Sequence, residues 1–246
     1  MWHKPALMNA VADALFGAAA LIVLAAIAVY TARLPAFAMR EVRVEGGLAH
    51  VTQGEIEDVV RREVKGGFFT VDLPAVRAAF ERLPWVRGAN VRRQWPARLD
   101  VALEEHEPLA RWGDEALVST HGEVFRAAYD GELPVFVGPE GTAREIAIQY
   151  RYFQRALASI GDAPVRVQVS ARRAWQLKLR GGTTLELGRE QTEARLGRYV
   201  QLHERTVGAL GRRVDYVDLR YANGFAVRIP ELRHEKTEPK RGRRAG

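Results

Sequence analysis

The sequence predicts an α+β protein. An N-terminal transmembrane helix leads into a first small domain in the order strand, helix, helix, strand, strand, and then into a mixed β domain with two helices. Three observations carry this. Residues 14–32 form an apolar run without a charge. Short stretches alternating apolar and polar residues recur between Gly and Pro breaks, as strands do. Other stretches repeat apolar residues every three to four positions, as helices do.

The apolar run suits a span, because roughly 20 residues at about 1.5 Å each cross about 30 Å of hydrocarbon. A cleaved signal peptide would show a shorter run behind a stronger basic region, whereas only Lys4 precedes this one and Asp13 offsets it. Arg33 and Arg40 follow the span, so the local charge count favours a cytoplasmic C-terminal side.

After the anchor, Glu41-Val42-Arg43-Val44-Glu45 alternates and stops at Gly46-Gly47. Thr52-Gln53-Gly54-Glu55 has the spacing of a capping box, with Ile56, Val59, Val60 and Val64 as an apolar stripe behind it. Asp72 then caps a second helix with Pro74 in its first turn and Val76, Ala79, Phe80 and Leu83 facing inward. Two strands follow over 86–94 and 99–105, joined through Trp95-Pro96-Ala97-Arg98. Trp85 and Trp95 are expected to pack in the core and on the hairpin.

In the second domain, strands are expected over 116–119, 123–125 and 134–137. A helix follows over 144–160, carrying Ile148, Tyr152, Ala156 and Ile160 at fourfold spacing beside Phe153 and Leu157. Strands over 165–169, 174–179 and 183–187 precede a longer helix over 190–210, with Leu196, Tyr199, Val200, His203, Val207 and Leu210 on one side. The last stretch, Tyr216-Val217-Asp218-Leu219-Arg220-Tyr221 to Phe225-Ala226-Val227-Arg228-Ile229, reads as a hairpin around Asn223-Gly224. A two-residue turn would mix apolar and charged residues on one face. A three-residue loop pairs Tyr221 with Phe225, Leu219 with Val227 and Val217 with Ile229, collecting all six on one face, and is preferred for that reason. The domains thus run 37–107 and 110–230, between a short tail (1–13), the anchor (14–34) and a basic tail (231–246) expected to be disordered.

Several function classes drop out. The chain has no cysteine, which removes thiolate nucleophiles, iron–sulfur clusters and Cys-rich zinc sites. Its serines, Ser119, Ser159 and Ser170, lie in no Gly-x-Ser-x-Gly turn, and no phosphate-cradling glycine motif occurs. His203 has no second ligand at a helical offset. Glu104, Glu105 and Glu107, at a strand end before Pro108, read as solvated charges. No catalytic residue, metal or cofactor is predicted. A net charge of +7 leaves open a membrane-tethered basic nucleic-acid-binding protein, but much of the excess lies in the tail, which lacks stacking aromatics, and basic and acidic residues alternate elsewhere.

Leu83-Pro84-Trp85-Val86, Val91-Arg92-Arg93-Gln94-Trp95-Pro96-Ala97-Arg98-Leu99 and Glu105-His106-Glu107-Pro108-Leu109-Ala110-Arg111-Trp112 resemble the FtsQ/DivIB cell-division family. Gly67-Phe68-Phe69-Thr70-Val71-Asp72, Gly138-Pro139-Glu140-Gly141, Ala171-Arg172-Arg173-Ala174-Trp175, Leu187-Gly188-Arg189 and Tyr216-Val217-Asp218-Leu219-Arg220-Tyr221 extend the resemblance over nearly the whole chain after the anchor. It implies that the first domain is a POTRA domain, a polypeptide-docking module beside the membrane. It further implies a non-enzymatic divisome scaffold in the cell inner membrane, with a cytoplasmic N-terminal tail, periplasmic domains and concentration at the septum. The implied partners are FtsB and FtsL by strand addition at the C-terminal edge, and other divisome membrane proteins through the POTRA domain. The implied partner-binding residues are Arg172, Arg220, Tyr221, Asn223, Gly224, Phe225, Ala226, Val227 and Ile229. Ile229 departs from the pattern, standing where an aromatic would serve as a second anchor. Physically, an unpaired edge accepts an extra strand through main-chain hydrogen bonds, and arginines beside it select acidic side chains.

Overall fold

The computed structural model describes residues 5–32 and 38–230, in two compact units that divide between His106 and Glu107. The basic tail expected over 231–246 lies outside the described residues.

Helix α1 (Pro5–Ala32) contains the 23-residue candidate span Asn9–Thr31, whose most apolar 18-residue stretch has a mean hydropathy of 2.3. At about 1.5 Å per residue this stretch covers about 35 Å, enough for the hydrocarbon layer.

The rest of the first unit is β1 (Glu41–Glu45), α2 (Gln53–Glu63), α3 (Leu73–Phe80), β2 (Val86–Gln94) and β3 (Arg98–Glu105), the expected order of elements. The sheet order is β1-β3-β2, with β1 parallel and β2 antiparallel to β3. The caps form as their spacing dictates. Thr52 Oγ1 accepts from Glu55 N at 3.3 Å while Glu55 Oε2 accepts from Thr52 N at 2.9 Å, and Asp72 Oδ1 accepts from Ala75 N at 3.0 Å. Val59, Val76, Phe80, Leu99 and Val101 are buried.

Two readings of this unit need correction. Glu105 is not solvated: its carboxylate accepts from the backbone of Ala49 (3.0 Å), His50 (3.1 Å) and Val51 (2.8 Å), which ties the loop before α2 to the end of β3. Burial pushes its pKa up, but those three N–H groups and the His50 side chain outweigh it and leave the carboxyl below its ordinary value. Trp85 is buried and stacks on His50 with ring centroids 3.8 Å apart, but Trp95 is 64% exposed, touching Phe68 edge-on.

The second unit is a nine-stranded mixed sheet in the order β12-β11-β10-β9-β8-β7-β4-β5-β6. Its strands are β4 (Pro108–Trp112), β5 (Ala116–Ser119), β6 (Val124–Phe125), β7 (Val135–Val137), β8 (Pro164–Val169), β9 (Trp175–Leu179), β10 (Thr184–Gly188), β11 (Tyr216–Asp218) and β12 (Ala226–Arg228). Helices α4 (Ala143–Ala158) and α5 (Thr192–His203) pack on β8 and β10 respectively and against each other. The shared core joins Ile146, Phe153 and Leu157 of α4 with Leu196 and Tyr199 of α5 and with Val167, Leu177, Leu185 and Val217 of the sheet.

Here too the structure departs from expectation. Strand β4, not foreseen, pairs in parallel with β7. The buried face of α4 is Ile146, Ala147, Tyr150, Phe153 and Leu157, and Ile148 is exposed: strict fourfold spacing drifts off a face that repeats every 3.6 residues. Helix α5 ends at His203, and only a short 3₁₀ turn, Gly208–Leu210, follows, leaving Leu210 exposed.

The hairpin register also differs. Val217 faces Val227, Tyr216 faces Arg228 and Asp218 faces Ala226, so residues 219–225 form a wide loop instead of a three-residue one. The cause is non-local. Leu219 N donates to Glu186 O at 2.9 Å, and the Arg198 guanidinium holds the carbonyls of Tyr221 (3.0 Å) and Ala222, withdrawing that segment from β12. The shift from the expected register is two residues, which preserves the face each side chain takes.

Candidate functional site

Four segments meet at one end of this sheet: the turn before β9, the end of β10, the end of β11 and the loop into β12. Ser170 shapes the turn, accepting on Oγ from Ala174 N at 3.0 Å while Arg173 takes a left-handed φ of 61°. Arg173 is ion-paired with Glu145. Arg172 beside it is exposed, with no hydrogen bond or ion pair among the described residues.

Gly188 closes β10 at φ +76°, a backbone state that favours glycine. A Cβ there would lie 2.7 Å from Arg195 Nη1 and 3.1 Å from Arg220 Cγ, so the bare backbone makes room for both arginines. Arg195, on α5, donates to Leu187 O at 2.6 Å. At the end of β11, Asp218 receives Arg220 in a two-point contact, Nε to Oδ1 at 2.9 Å and Nη2 to Oδ2 at 2.6 Å. Asp218 is only 7% exposed, and the hydrogen bond from Arg220 pulls its pKa below the ordinary range against the effect of burial. Arg220 itself stays largely exposed, its own pKa raised by Asp218.

These groups line an open groove of about 480 Å³ that Arg172 and Arg220 share with Arg189, Arg195, Glu186 and Glu190. Four guanidinium groups against two carboxylates make it net basic. Glu186 is engaged with Gln176 Nε2 at 3.0 Å. Among the described residues, no aromatic side chain lines the groove.

Beside it, β12 is the terminal strand of the sheet, paired with β11 on one side among the described residues. The strands expected over 216–221 and 225–229 both shorten. Tyr221, Asn223, Gly224 and Phe225 lie in the loop, Ala226 and Val227 are in β12, and Ile229 follows it. Phe225 and Ile229 turn toward the core, Phe225 meeting Tyr199 edge-on at 5.9 Å. Ala226, Val227 and Arg228 are exposed, and Arg228 lies over the Tyr216 ring at 5.1 Å. Tyr221 is 58% exposed and outside the core. The structure thus gathers Arg172 and Arg220 in one groove and sets Tyr221 in the loop between Arg220 and the sheet edge.

Sequence reasoning missed Arg195, Glu186, Gly188 and Arg198. Only Gly188 carried a visible signal, the Leu187-Gly188-Arg189 run after an alternating strand. No cluster of three or more His, Asp or Glu able to hold a metal ion occurs among the described residues.

An apolar N-terminal helix, a strand-helix-helix-strand-strand unit and an open-edged sheet define a class: a single-span protein with a POTRA domain followed by a β-rich domain. The POTRA domain model, FtsQ type, matches residues 37–106, and the model for the cell division protein FtsQ/DivIB C-terminal region matches residues 110–220. The cell division protein FtsQ of Nitrosospira multiformis is 47% identical over 233 residues, covering 93% of this chain and 99% of that protein. That of Burkholderia pseudomallei is 42% identical, covering 95% and 96%, and that of Coxiella burnetii is 33% identical, covering 76% and 79%. The chain belongs to the FtsQ/DivIB family of membrane-anchored, non-enzymatic cell-division proteins.

Proposed function

We propose that this chain is a divisome scaffold which captures a partner segment as an added strand along β12, with Arg172 and Arg220 selecting acidic side chains and Tyr221 anchoring an apolar one. The observation that carries the reading is the placement of an exposed terminal strand, paired on one side only among the described residues, beside a net-basic groove. Main-chain pairing supplies affinity at such an edge, and charge-assisted hydrogen bonds from arginine supply selectivity. The Asp218 contact holds the Arg220 side chain in one orientation, so less freedom is lost when a ligand binds. A nucleic-acid partner fits less well, because the groove mixes carboxylates with its arginines and offers no stacking ring.

The partner is FtsB, in its complex with FtsL, and the site works on the periplasmic side of the inner membrane at the septum; other division proteins meet the POTRA domain. The test is FtsB binding by the full chain in lipid nanodiscs carrying Arg172→Glu or Tyr221→Ala, after confirming an unchanged Tm. Each variant is expected to lose about tenfold in affinity, about 1.4 kcal/mol. Wild-type affinity in both folded variants would overturn the edge-docking proposal.

A further inference from the structure

Phe69 and Trp95 are the large apolar side chains that the POTRA domain leaves most exposed among its described residues, at 50% and 64%. They come from different loops, yet share one neighbour: Phe68 meets Phe69 at 5.2 Å and Trp95 at 5.6 Å, edge-on to both. The loops are held firmly. Arg93 donates through Nε to Phe68 O and through Nη2 to Val71 O, each at 2.7 Å, while Gly67 N donates to Thr70 Oγ1 at 2.9 Å. Phe68 is thereby buried and Phe69 turned outward.

The place of this pair in the fold says what it faces. Ala38 bridges Gly67, and Arg40 N donates to Ala97 O at 2.9 Å, so the chain arriving from the anchor runs past both aromatic loops before entering β1. Helix α1 ends at Ala32. Six residue steps separate Ala32 from Ala38, and even fully extended they span at most about 22 Å. The end of the domain that carries Phe69 and Trp95 is therefore tethered within that distance of the end of the membrane-spanning helix. Arg40 and Lys65 flank it, both exposed and neither engaged by a side-chain hydrogen bond or ion pair among the described residues. Exposed Trp and Phe with cationic neighbours suit the headgroup layer, where the rings sit at the boundary with the acyl chains and the cations meet phosphate.

We infer that the Phe69–Trp95 tip of the POTRA domain docks into the lipid headgroup layer next to the anchor, giving the domain a second membrane contact and restricting its orientation relative to the bilayer. The occupant is the lipid surface, because the tether keeps lipid within reach at all times. A protein partner at the same patch would have to displace it.

The chain has no cysteine, so single labels can be placed without background. Pro96, exposed at the tip, and Glu104, exposed near the other end of β3, are replaced in turn, Pro96→Cys and Glu104→Cys, and carry an environment-sensitive fluorophore. The full chain is reconstituted in phosphatidylcholine–phosphatidylglycerol vesicles containing doxyl-labelled lipid. Quenching at position 96 is expected to exceed that at position 104 severalfold, and to fall to the level of position 104 when Phe69→Ser and Trp95→Ser are added. Far-UV circular dichroism and Tm of the added variants verify the fold, and the unsubstituted comparison of positions 96 and 104 stands without them. Equal, weak quenching at both positions would overturn the inference. So would a label at 96 shielded from aqueous iodide but beyond reach of the lipid quencher, the signature of a protein covering. Quenching unchanged in the folded double variant would also overturn it, because the tether alone would then account for the proximity.

Discussion

Each unit ends a strand on a carboxylate with little exposure, and the balance of partners differs: mostly backbone N–H groups at Glu105, mostly one guanidinium at Asp218. Glu105, at the end of β3, is surrounded by backbone: three consecutive N–H groups converge on it. Asp218, at the end of β11, is met by Arg220 through two side-chain contacts. The first carboxylate organises a loop, and the side chain that it also meets, His50 at 3.2 Å, is itself stacked on Trp85. The second holds an arginine whose side chain remains 57% exposed. Burial of a charge is thus no guide to function until its partner is known, and here the carboxylate that presents a charged partner to solvent lies at the proposed binding surface.

The sharpest way to break this contrast is to remove the carboxylate from the loop. Glu105→Ala leaves three N–H groups without their acceptor, and a loss of about 3 kcal/mol in unfolding free energy is expected by denaturant titration. Partner affinity of the still-folded protein should be unchanged. A mild effect on stability, or a large one on binding, would erase the distinction.

A smaller effect separates the two by pH. Both carboxyls have pKa values lowered in the folded protein, so each contributes stability that is fully present above its ordinary value near pH 4 and is lost as pH falls through the lowered one. Glu105→Gln and Asp218→Asn should each flatten the acid limb of a plot of stability against pH, while leaving its slope above about pH 6 alone. An unchanged acid limb in either variant would contradict the assigned hydrogen bonding.

The contrast also explains what was legible beforehand. Thr52 with Glu55, and Asp72 with Pro74, declare their helices because a cap and the groups it satisfies lie within three residues. The order of elements in the first unit and the mixed character of the second follow from such local signals. Glu105 reads as solvated because its partners lie 54 to 56 residues away. The same blindness affects the last hairpin. Asn223-Gly224 suggests a tight turn, but Arg198, 23 residues before Tyr221, takes the carbonyls that a tight turn needs. At the candidate site, Arg172, Arg220 and Tyr221 stand out through family resemblance, whereas Arg195 and Glu186 join the groove only through packing of α5 on β10.

We propose that β12 accepts a strand. Amide hydrogen exchange of the full chain in nanodiscs, with and without the FtsB–FtsL complex, tests it at the level of the backbone. Residues 225–229 are expected to gain the strongest protection on binding, while Val124–Phe125 in β6, at the opposite end of the same sheet, exchange as before. Unchanged exchange over 225–229 in a saturated complex, with protection elsewhere, would contradict it.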